Sequence, residues 1–200
     1  MAGNGFRPVG VLGAANAQQT RQYWIGQNYG SNIFYGDPVC MSAAGEIILG
    51  TDALILGADM VGVFLGCEYR NADGEVKFSQ YYPANTNVDE GVKAYVSDNP
   101  FTLYKAKILG GDGGSDTTLD RTSIGLNIAL AFTAGSTTTG NSASGVDSAE
   151  TGTTTQGFRI VDLVSDDSPA NEYATPSTAY THALVIVEPN LHFYMSTTGI

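Results

Sequence analysis

The sequence contains little charge, and positive charge is especially scarce. Charged residues make up 14% of the 200 residues, against roughly 25% in an ordinary globular chain. Nine lysines and arginines face 20 acidic residues, which gives a formal net charge of −11. Such a chain repels phosphate backbones and anionic lipid headgroups, and it has no basic cluster that would reverse this locally. We therefore expect neither a nucleic-acid partner nor a membrane partner.

Long apolar runs and cysteines are also scarce. No window approaches the roughly 20 apolar residues of a membrane span. The apolar stretch before Ala15 is short and broken by glycines, so we expect no signal peptide and synthesis in a cytoplasm. The two cysteines, Cys40 and Cys67, are too few for a disulfide framework or a metal-binding knuckle. We expect two buried free thiols, with a single disulfide as the alternative.

Alternation of apolar and polar residues is the pattern that dominates from Asn32 onward. It predicts a β-hairpin in which residues 61–70 and 75–82 are joined by the turn-forming residues 71–74, with Val76 and Phe78 facing inward. Residues 124–132 alternate large and small apolar side chains, which indicates a strand buried on both faces. Further strands are expected at residues 92–96, 101–108, 158–164 and 183–187, with 191–194 as a possible last one.

These eight or so strands predict an all-β fold, a single β-barrel or β-sandwich domain over residues 31–200. A short helix at residues 88–94 is weakly indicated. Residues 133–157 are rich in serine, threonine and glycine and contain little to bury, so we expect a long polar loop there. Residues 1–30 show no sustained alternation and predict an extended N-terminal arm, with one short strand possible at residues 22–25.

Candidate catalytic and metal-binding motifs are all incomplete. Residues 140–145 miss a G-x-S-x-G nucleophile motif by one position and lie in the polar loop. Residues 110–116 resemble one calcium-binding repeat, but such repeats form sites only in several copies. Neither histidine, His182 or His192, has a carboxylate or cysteine at ligand spacing, so both are expected to be ordinary strand residues. One further group of oxygen-bearing side chains could bind a hard cation, but it lacks the spacing of a known cation-binding loop: Asp162, Asp166, Asp167 and Asn171. We therefore expect no enzyme activity, no cofactor and no bound metal.

Two stretches carry a resemblance to a known family. The first is Ile33-Phe34-Tyr35-Gly36-Asp37-Pro38-Val39, followed by residues 61–66. The second contains Ile124-Gly125-Leu126-Asn127, Thr139-Gly140-Asn141-Ser142 and residues 158–161, and ends at residues 185–192. In this order the chain resembles the head-decoration, or cement, proteins and related virion structural proteins of tailed bacteriophages. The likeness covers residues 32–195 and the opening segment 4–10.

The resemblance implies a place on the outside of the virion capsid. Copies of such proteins, often trimers, bind the major capsid protein and stabilise contacts between adjacent capsid subunits. The expected partners are therefore the major capsid protein and further copies of the chain. No active site is implied, because the family has none.

The N-terminal arm supplies the candidate contacts with a neighbouring subunit or the capsid. Its large side chains are Phe6, Tyr23, Trp24, Ile25 and Tyr29. Burying one such side chain is worth roughly 1.5–3 kcal/mol, so we expect a groove that receives them. The groove belongs either to a partner, in which case the arm serves assembly, or to the chain's own barrel.

Two other functions remain open at the level of the sequence. One is a phage tail component or a receptor- or carbohydrate-binding β-module that uses Tyr81, Tyr82 and Tyr104 as a stacking face. The other is a secreted hydrolase on a β-scaffold, for which no catalytic pair stands out.

Overall fold

The structure, a computed structural model, describes residues 5–14, 19–57, 59–70, 73–86, 91–111, 118–164 and 180–197. Its strands are β1 (Arg7–Val11), β2 (Thr20–Ile25), β3 (Pro38–Met41), β4 (Ile47–Leu49), β5 (Met60–Arg70), β6 (Val76–Ser79), β7 (Val92–Ser97), β8 (Thr102–Leu109), β9 (Asn127–Ala131), β10 (Gly145–Gly152), β11 (Phe158–Val164) and β12 (His182–Val187). One short helix, α1 (Asp52–Leu56), and two 3-10 turns, Arg121–Ser123 and Pro189–Leu191, complete the described elements. The prediction of an all-β barrel or sandwich is confirmed.

The first sheet closes into a five-stranded barrel. Its strands follow the order β8-β10-β9-β11-β12, and β12 then pairs with β8. Strand β1 lies beside β10 along the same edge of β8, since β1 pairs with Thr102–Lys105 and β10 with Ile108 and Leu109. Because β1 pairs with no other strand in the described chain, its outer edge is unpaired.

The second sheet has the order β2-β7-β5-β3-β4, with β6 paired to β5. Strands β3 and β6 lie along one edge of β5, because β3 pairs with residues 60–63 and β6 with residues 67–70. The sheet curls until its two end strands, β2 and β4, come into contact. Curling of this kind follows from the right-handed twist of strands and encloses one face of the sheet.

Two apolar cores result from this arrangement. One fills the barrel and continues onto the adjoining face of the second sheet; its largest members include Phe6, Met60, Tyr104, Ile128 and Phe158. The other lies inside the curl of the second sheet; its largest members include Ile25, Ile33, Ile47, Phe64 and Tyr82. The strand predicted over residues 124–132 is shorter in the structure: β9 is buried at all five of its residues, as predicted, but Ile124 and Phe132 lie outside it and are 36% and 38% exposed.

Strand β5 contributes to both cores and departs from simple alternation. Val61, Phe64 and Cys67 face the core of the second sheet, so the inward positions are three residues apart. Register shifts against β3 and against β7 supply the extra residues. At Gly62 the strands approach so closely that a Cβ atom would lie 2.0 Å from the Ser97 carbonyl oxygen. Only glycine fits this position.

The structure corrects the prediction of an N-terminal arm. In the described parts of residues 1–30, β1 pairs with β8 of the first sheet and β2 pairs with β7 along its whole length. The short strand expected at residues 22–25 is thus present within β2. The alternation of apolar and polar residues does not reveal β1, because this strand contains a register shift between Pro8 and Gly10. Its side chains therefore do not follow a regular period of two.

The polar loop expected at residues 133–157 contains strand β10. Val146 is fully buried in the barrel core. The buried Ser144 hydroxyl accepts a hydrogen bond from Thr133 N at 3.2 Å and donates one to Thr133 O at 3.1 Å. Small polar side chains are tolerated inside because the chain satisfies their hydrogen bonds locally.

Three smaller predictions also differ from the structure. The β5–β6 hairpin forms, but Val76 and Phe78 are 48% and 74% exposed rather than inward. Residues 191–194 follow a 3-10 turn and form no strand. Of the weakly indicated helix at 88–94, residues 88–90 lie outside the described residues and 92–94 belong to β7. Cys40 and Cys67 are free and buried, as predicted.

Candidate binding surfaces

Three of the five predicted contact residues are occupied within the chain itself. Phe6 is fully buried and stacks on Phe158 with ring centroids 4.6 Å apart. Ile25 is buried in the core of the second sheet. Tyr29 packs 6.1 Å from Tyr82, and its hydroxyl accepts a hydrogen bond from Leu49 N at 2.9 Å. The prediction that Phe6 and Ile25 contact a partner is therefore corrected, since the chain's own cores bury them.

Tyr23 belongs to a polar cluster that fastens β2 to the β7–β8 turn and to the C-terminal segment. Its hydroxyl donates to Asp98 Oδ2 at 2.6 Å and lies 2.6 Å from the Tyr194 hydroxyl. Arg21 Nε lies 3.2 Å from the same Asp98 oxygen, and its guanidinium carbon is 5.5 Å from the centre of the Tyr194 ring. Burial and the hydrogen bonds to Asp98 and Tyr194 raise the pKa of Tyr23. It therefore remains a donor at neutral pH.

His192 lies next to this cluster and is fully buried. Its Nδ1 accepts a hydrogen bond from Tyr194 N at 3.2 Å, while Nε2 has no hydrogen-bond partner among the described residues. Burial lowers the pKa of His192 to about 4, although the charge of Asp98 opposes the shift. The buried His192 ring has no surface that a substrate could reach. Its position beside the Tyr23 cluster is therefore consistent with a structural role.

Sequence spacing did not reveal this neighbourhood. His192 was expected to be an ordinary strand residue, but it follows a 3-10 turn, and Asp98 approaches it from the β7–β8 turn. His182, by contrast, does begin strand β12 as expected. Its Nδ1 lies 3.1 Å from the Thr181 hydroxyl.

The two stretches that carried the family resemblance lie side by side. Tyr35 N donates to Gly140 O at 3.0 Å, and Ser142 N donates to Tyr35 O at 2.9 Å. Asp37 stabilises a turn here, because its Oδ2 accepts a hydrogen bond from Phe34 N at 2.8 Å. Burial raises the pKa of Asp37 to about 6, opposed by the nearby Ser142 hydroxyl and by Phe34 N. Ser142 does not reach hydrogen-bonding geometry with the second carboxylate oxygen.

The unpaired edge of β1 forms one exposed apolar surface. Val9 is 49% exposed, Leu12 44% and Phe101 47%. Leu12 N donates to Phe101 O at 2.9 Å, which holds these two side chains close together. We call Val9, Leu12 and Phe101, with the free edge of β1, the N-terminal edge. It combines apolar side chains with a strand edge that has no strand partner among the described residues, although Ala14 N donates to Val11 O at 3.3 Å.

A second exposed surface crosses the outer face of the second sheet. Trp24 on β2 is opposite Lys93 on β7, Lys93 is opposite Glu68 on β5, and Glu68 is opposite Phe78 on β6. The residues that alternate with them, such as Ile25, belong to the inner core. These four side chains therefore share the outer face, and Trp24 is 51% exposed there.

The charged side chains of this row are held in place beside the indole. Glu68 Oε1 lies 3.9 Å from Lys93 Nζ, and Glu68 Oε2 accepts a hydrogen bond from the Tyr95 hydroxyl at 2.8 Å. Arg70 Nη1 donates to Gly74 O at 3.1 Å. Around them lies a cleft that we call the Trp24 cleft, lined by Trp24, Glu68, Tyr69, Arg70, Val76, Gly91 and Lys93.

The stacking face proposed at Tyr81, Tyr82 and Tyr104 is not formed. Tyr82 and Tyr104 are buried, and Tyr81 stacks on Phe34 with ring centroids 5.5 Å apart. The Tyr104 hydroxyl donates to Ser97 O at 2.9 Å inside the protein. The sequence does not distinguish buried tyrosines from exposed ones on a strand. Which face of a strand is buried depends on how the two sheets pack.

The remaining sequence motifs fall partly outside the described residues. Residues 112–116 lie there, as do Asp166, Asp167 and Asn171, while the described Asp162 accepts from Leu163 N at 2.8 Å. Within the described ranges no three His, Cys, Asp or Glu side chains are placed to hold a metal ion. No helix in these ranges has the length and apolarity needed to cross a membrane. No family model, curated protein or solved structure matches this chain.

Proposed function

We propose that the chain is a structural, non-catalytic virion protein that decorates the outside of a phage head. In this proposal it binds the major capsid protein and further copies of itself, with a trimer favoured, and stabilises contacts between capsid subunits. The observation that carries the proposal is the N-terminal edge, where β1 has no strand partner on its outer side among the described residues and three apolar side chains are exposed.

An edge of this kind favours a protein partner. An exposed strand edge offers N–H and C=O groups to a strand of another chain, and flanking side chains give such pairing its specificity. In β1 the edge carries no acidic residue, and Arg7 is its only charge. A partner that covers Val9, Leu12 and Phe101 therefore buries apolar surface without desolvating a carboxylate.

The charge of the chain supports an outer position on the capsid. With a net charge of −11, the chain gains nothing from contact with packaged nucleic acid. Its low content of charged side chains, 14%, leaves few ions to desolvate when copies pack together.

Binding to heads tests this proposal directly. Expanded heads of the phage that encodes the chain, stripped of decoration, are mixed with the purified protein and sedimented. We expect saturation at a fixed number of copies per head. Leu12→Asp combined with Phe101→Ser places a charge in the contact and removes a large side chain. We expect this variant to lose at least about tenfold in affinity, the equivalent of roughly 1.4 kcal/mol.

Phe78→Ser is the matched control, because Phe78 is an exposed aromatic residue on a different surface. We expect it to bind heads like the unchanged protein. Size-exclusion chromatography with light scattering on all three proteins reports whether the same edge also joins copies to each other. Absence of saturable binding, or equal loss in the Phe78→Ser control, would contradict the proposal.

A further inference from the structure

We propose that the Trp24 cleft is a binding site for an acidic saccharide, a pyranose ring that carries a carboxylate. This inference does not rest on the role in the capsid. It uses a different surface, so the two proposals can fail separately.

The indole supplies the platform for the sugar ring. One face of a pyranose consists of C–H groups, which pack on the electron-rich face of an aromatic ring while the hydroxyls point outward. Trp24 is half-exposed and lies at one end of the row. Gly91, beside it, has φ +76 and no side chain, and a Cβ there would lie 3.5 Å from the Trp24 ring. The absence of that side chain leaves the indole edge open to the cleft.

The charges around the indole select the class of saccharide. The cleft gathers Arg70 and Lys93, two of only nine basic residues in the chain, against one carboxylate, Glu68. Glu68 is already engaged by Lys93 and Tyr95. Arg70 donates one hydrogen bond and makes no other among the described residues, so its remaining N–H groups are available to a ligand in the cleft that it lines. A guanidinium of this kind prefers the two oxygens of a carboxylate.

The cleft is a shallow groove rather than a deep pocket. It encloses about 70 Å³, well below the range of about 300–1,000 Å³ of most ligand sites, so a sugar ring would lie on the indole with its outer face in solvent. Lys93 is one strand pairing from Trp24 and Glu68 is two, so Lys93 is the nearer polar group for the hydroxyls of a stacked ring. A polyanion is disfavoured, because the chain as a whole carries a net charge of −11.

The fluorescence of Trp24 tests the proposal, since it is the sole tryptophan in the chain. The full chain is titrated with sialyllactose, with a glucuronate disaccharide and with neutral lactose. We expect a saturable change in emission with at least one acidic probe, at tenfold or more lower concentration than with lactose. Arg70→Gln is expected to weaken acidic binding about tenfold and to remove the preference over lactose.

Matched variants separate the site from general charge. Arg121→Gln removes an exposed arginine elsewhere, in a 3-10 turn, and is expected to leave binding unchanged. Trp24→Leu, followed by calorimetry, is expected to abolish binding while circular dichroism shows the folded sheet. The proposal is overturned if neither acidic probe gives saturable binding up to the millimolar range. It is also overturned if lactose binds equally well or if Arg121→Gln weakens binding as much as Arg70→Gln.

Discussion

Two buried titratable side chains, Asp37 and His192, pull the stability of the protein in opposite directions as the pH falls. Burial raises the pKa of Asp37 to about 6 from its usual 3.8. Burial lowers the pKa of His192 to about 4 from its usual 6.5. We therefore expect the two substitutions to have opposite effects on how the free energy of unfolding changes with pH. As the pH falls, it should decrease in Asp37→Asn and increase in His192→Gln.

The sign follows from which state binds more protons. Between pH 6.5 and 4 the unfolded chain protonates His192 more readily, so its contribution to stability, complete above pH 6.5, is lost as the pH falls. Between pH 6 and 3.8 the folded chain protonates Asp37 more readily, so the cost of burying the carboxylate disappears as the pH falls.

These shifts set the expected magnitudes. Each pKa unit corresponds to about 1.4 kcal/mol between the two protonation states. From pH 7 to pH 5, integrating both titrations gives a loss of about 2 kcal/mol from His192 and a gain of about 1 kcal/mol from Asp37. In the unchanged protein the gain offsets about half of the loss, so stability falls by about 1 kcal/mol. Asp37→Asn leaves the His192 effect alone, and stability falls by about 2 kcal/mol over this range.

Urea unfolding at pH 5, 6 and 7 measures these slopes, because urea is uncharged and leaves electrostatic effects unscreened. Circular dichroism and Trp24 emission follow the transition. His192→Gln is expected to lower stability at pH 7 and then to recover about 1 kcal/mol by pH 5. Each substitution also changes the absolute stability, so the test is the difference between the stabilities measured at different pH values. Parallel pH profiles for both variants and the unchanged protein would refute the reasoning.

Three further predictions follow from the packing of the strands and the cysteines. Gly62→Ala forces a Cβ atom against a main-chain carbonyl 2.0 Å away, so we expect a loss of about 2–4 kcal/mol in urea unfolding; a neutral effect would mean that β5 and β7 are further apart. Deleting residues 1–30 removes two paired strands and the buried Phe6, so we expect insoluble protein or a melting temperature lower by about 10 °C or more; a stable truncated domain would restore the separate arm. Burial raises the pKa of both Cys40 and Cys67 to about 12, so a disulfide reagent at pH 8 should label neither thiol until urea is added; rapid labelling of the folded chain would disprove their burial.

Alternation in the sequence was sufficient to predict most strands of the barrel. Residues 124–132 alternate large and small side chains, and β9 is buried throughout. Strands β7, β8, β11 and β12 also lie within one or two residues of their predicted ranges. A period of two is a local property, since neighbouring side chains on a strand point to opposite faces.

Predictions that depended on a partner strand failed. The N-terminal segment was taken for an arm because its pattern is interrupted, yet pairing with β8 and β7 makes it part of both sheets. Phe78 is predicted to face inward, but among the described strands β6 pairs only with β5, and Phe78 is exposed. Burial of a strand depends on what packs over it, and no local pattern encodes that neighbour.

The sequence by itself determined the all-β class, the acidity that argues against nucleic acid, and the buried free cysteines. Tertiary structure alone decided which aromatic residues remain at the surface. Trp24, Lys93, Glu68 and Phe78 lie on four different strands, and the registers of three strand pairs place them in one row. A shift of one residue in any of these registers would turn the strand's side chains to the other face. The surface is therefore a property of strand pairing, which residues distant in sequence establish only when the sheet forms.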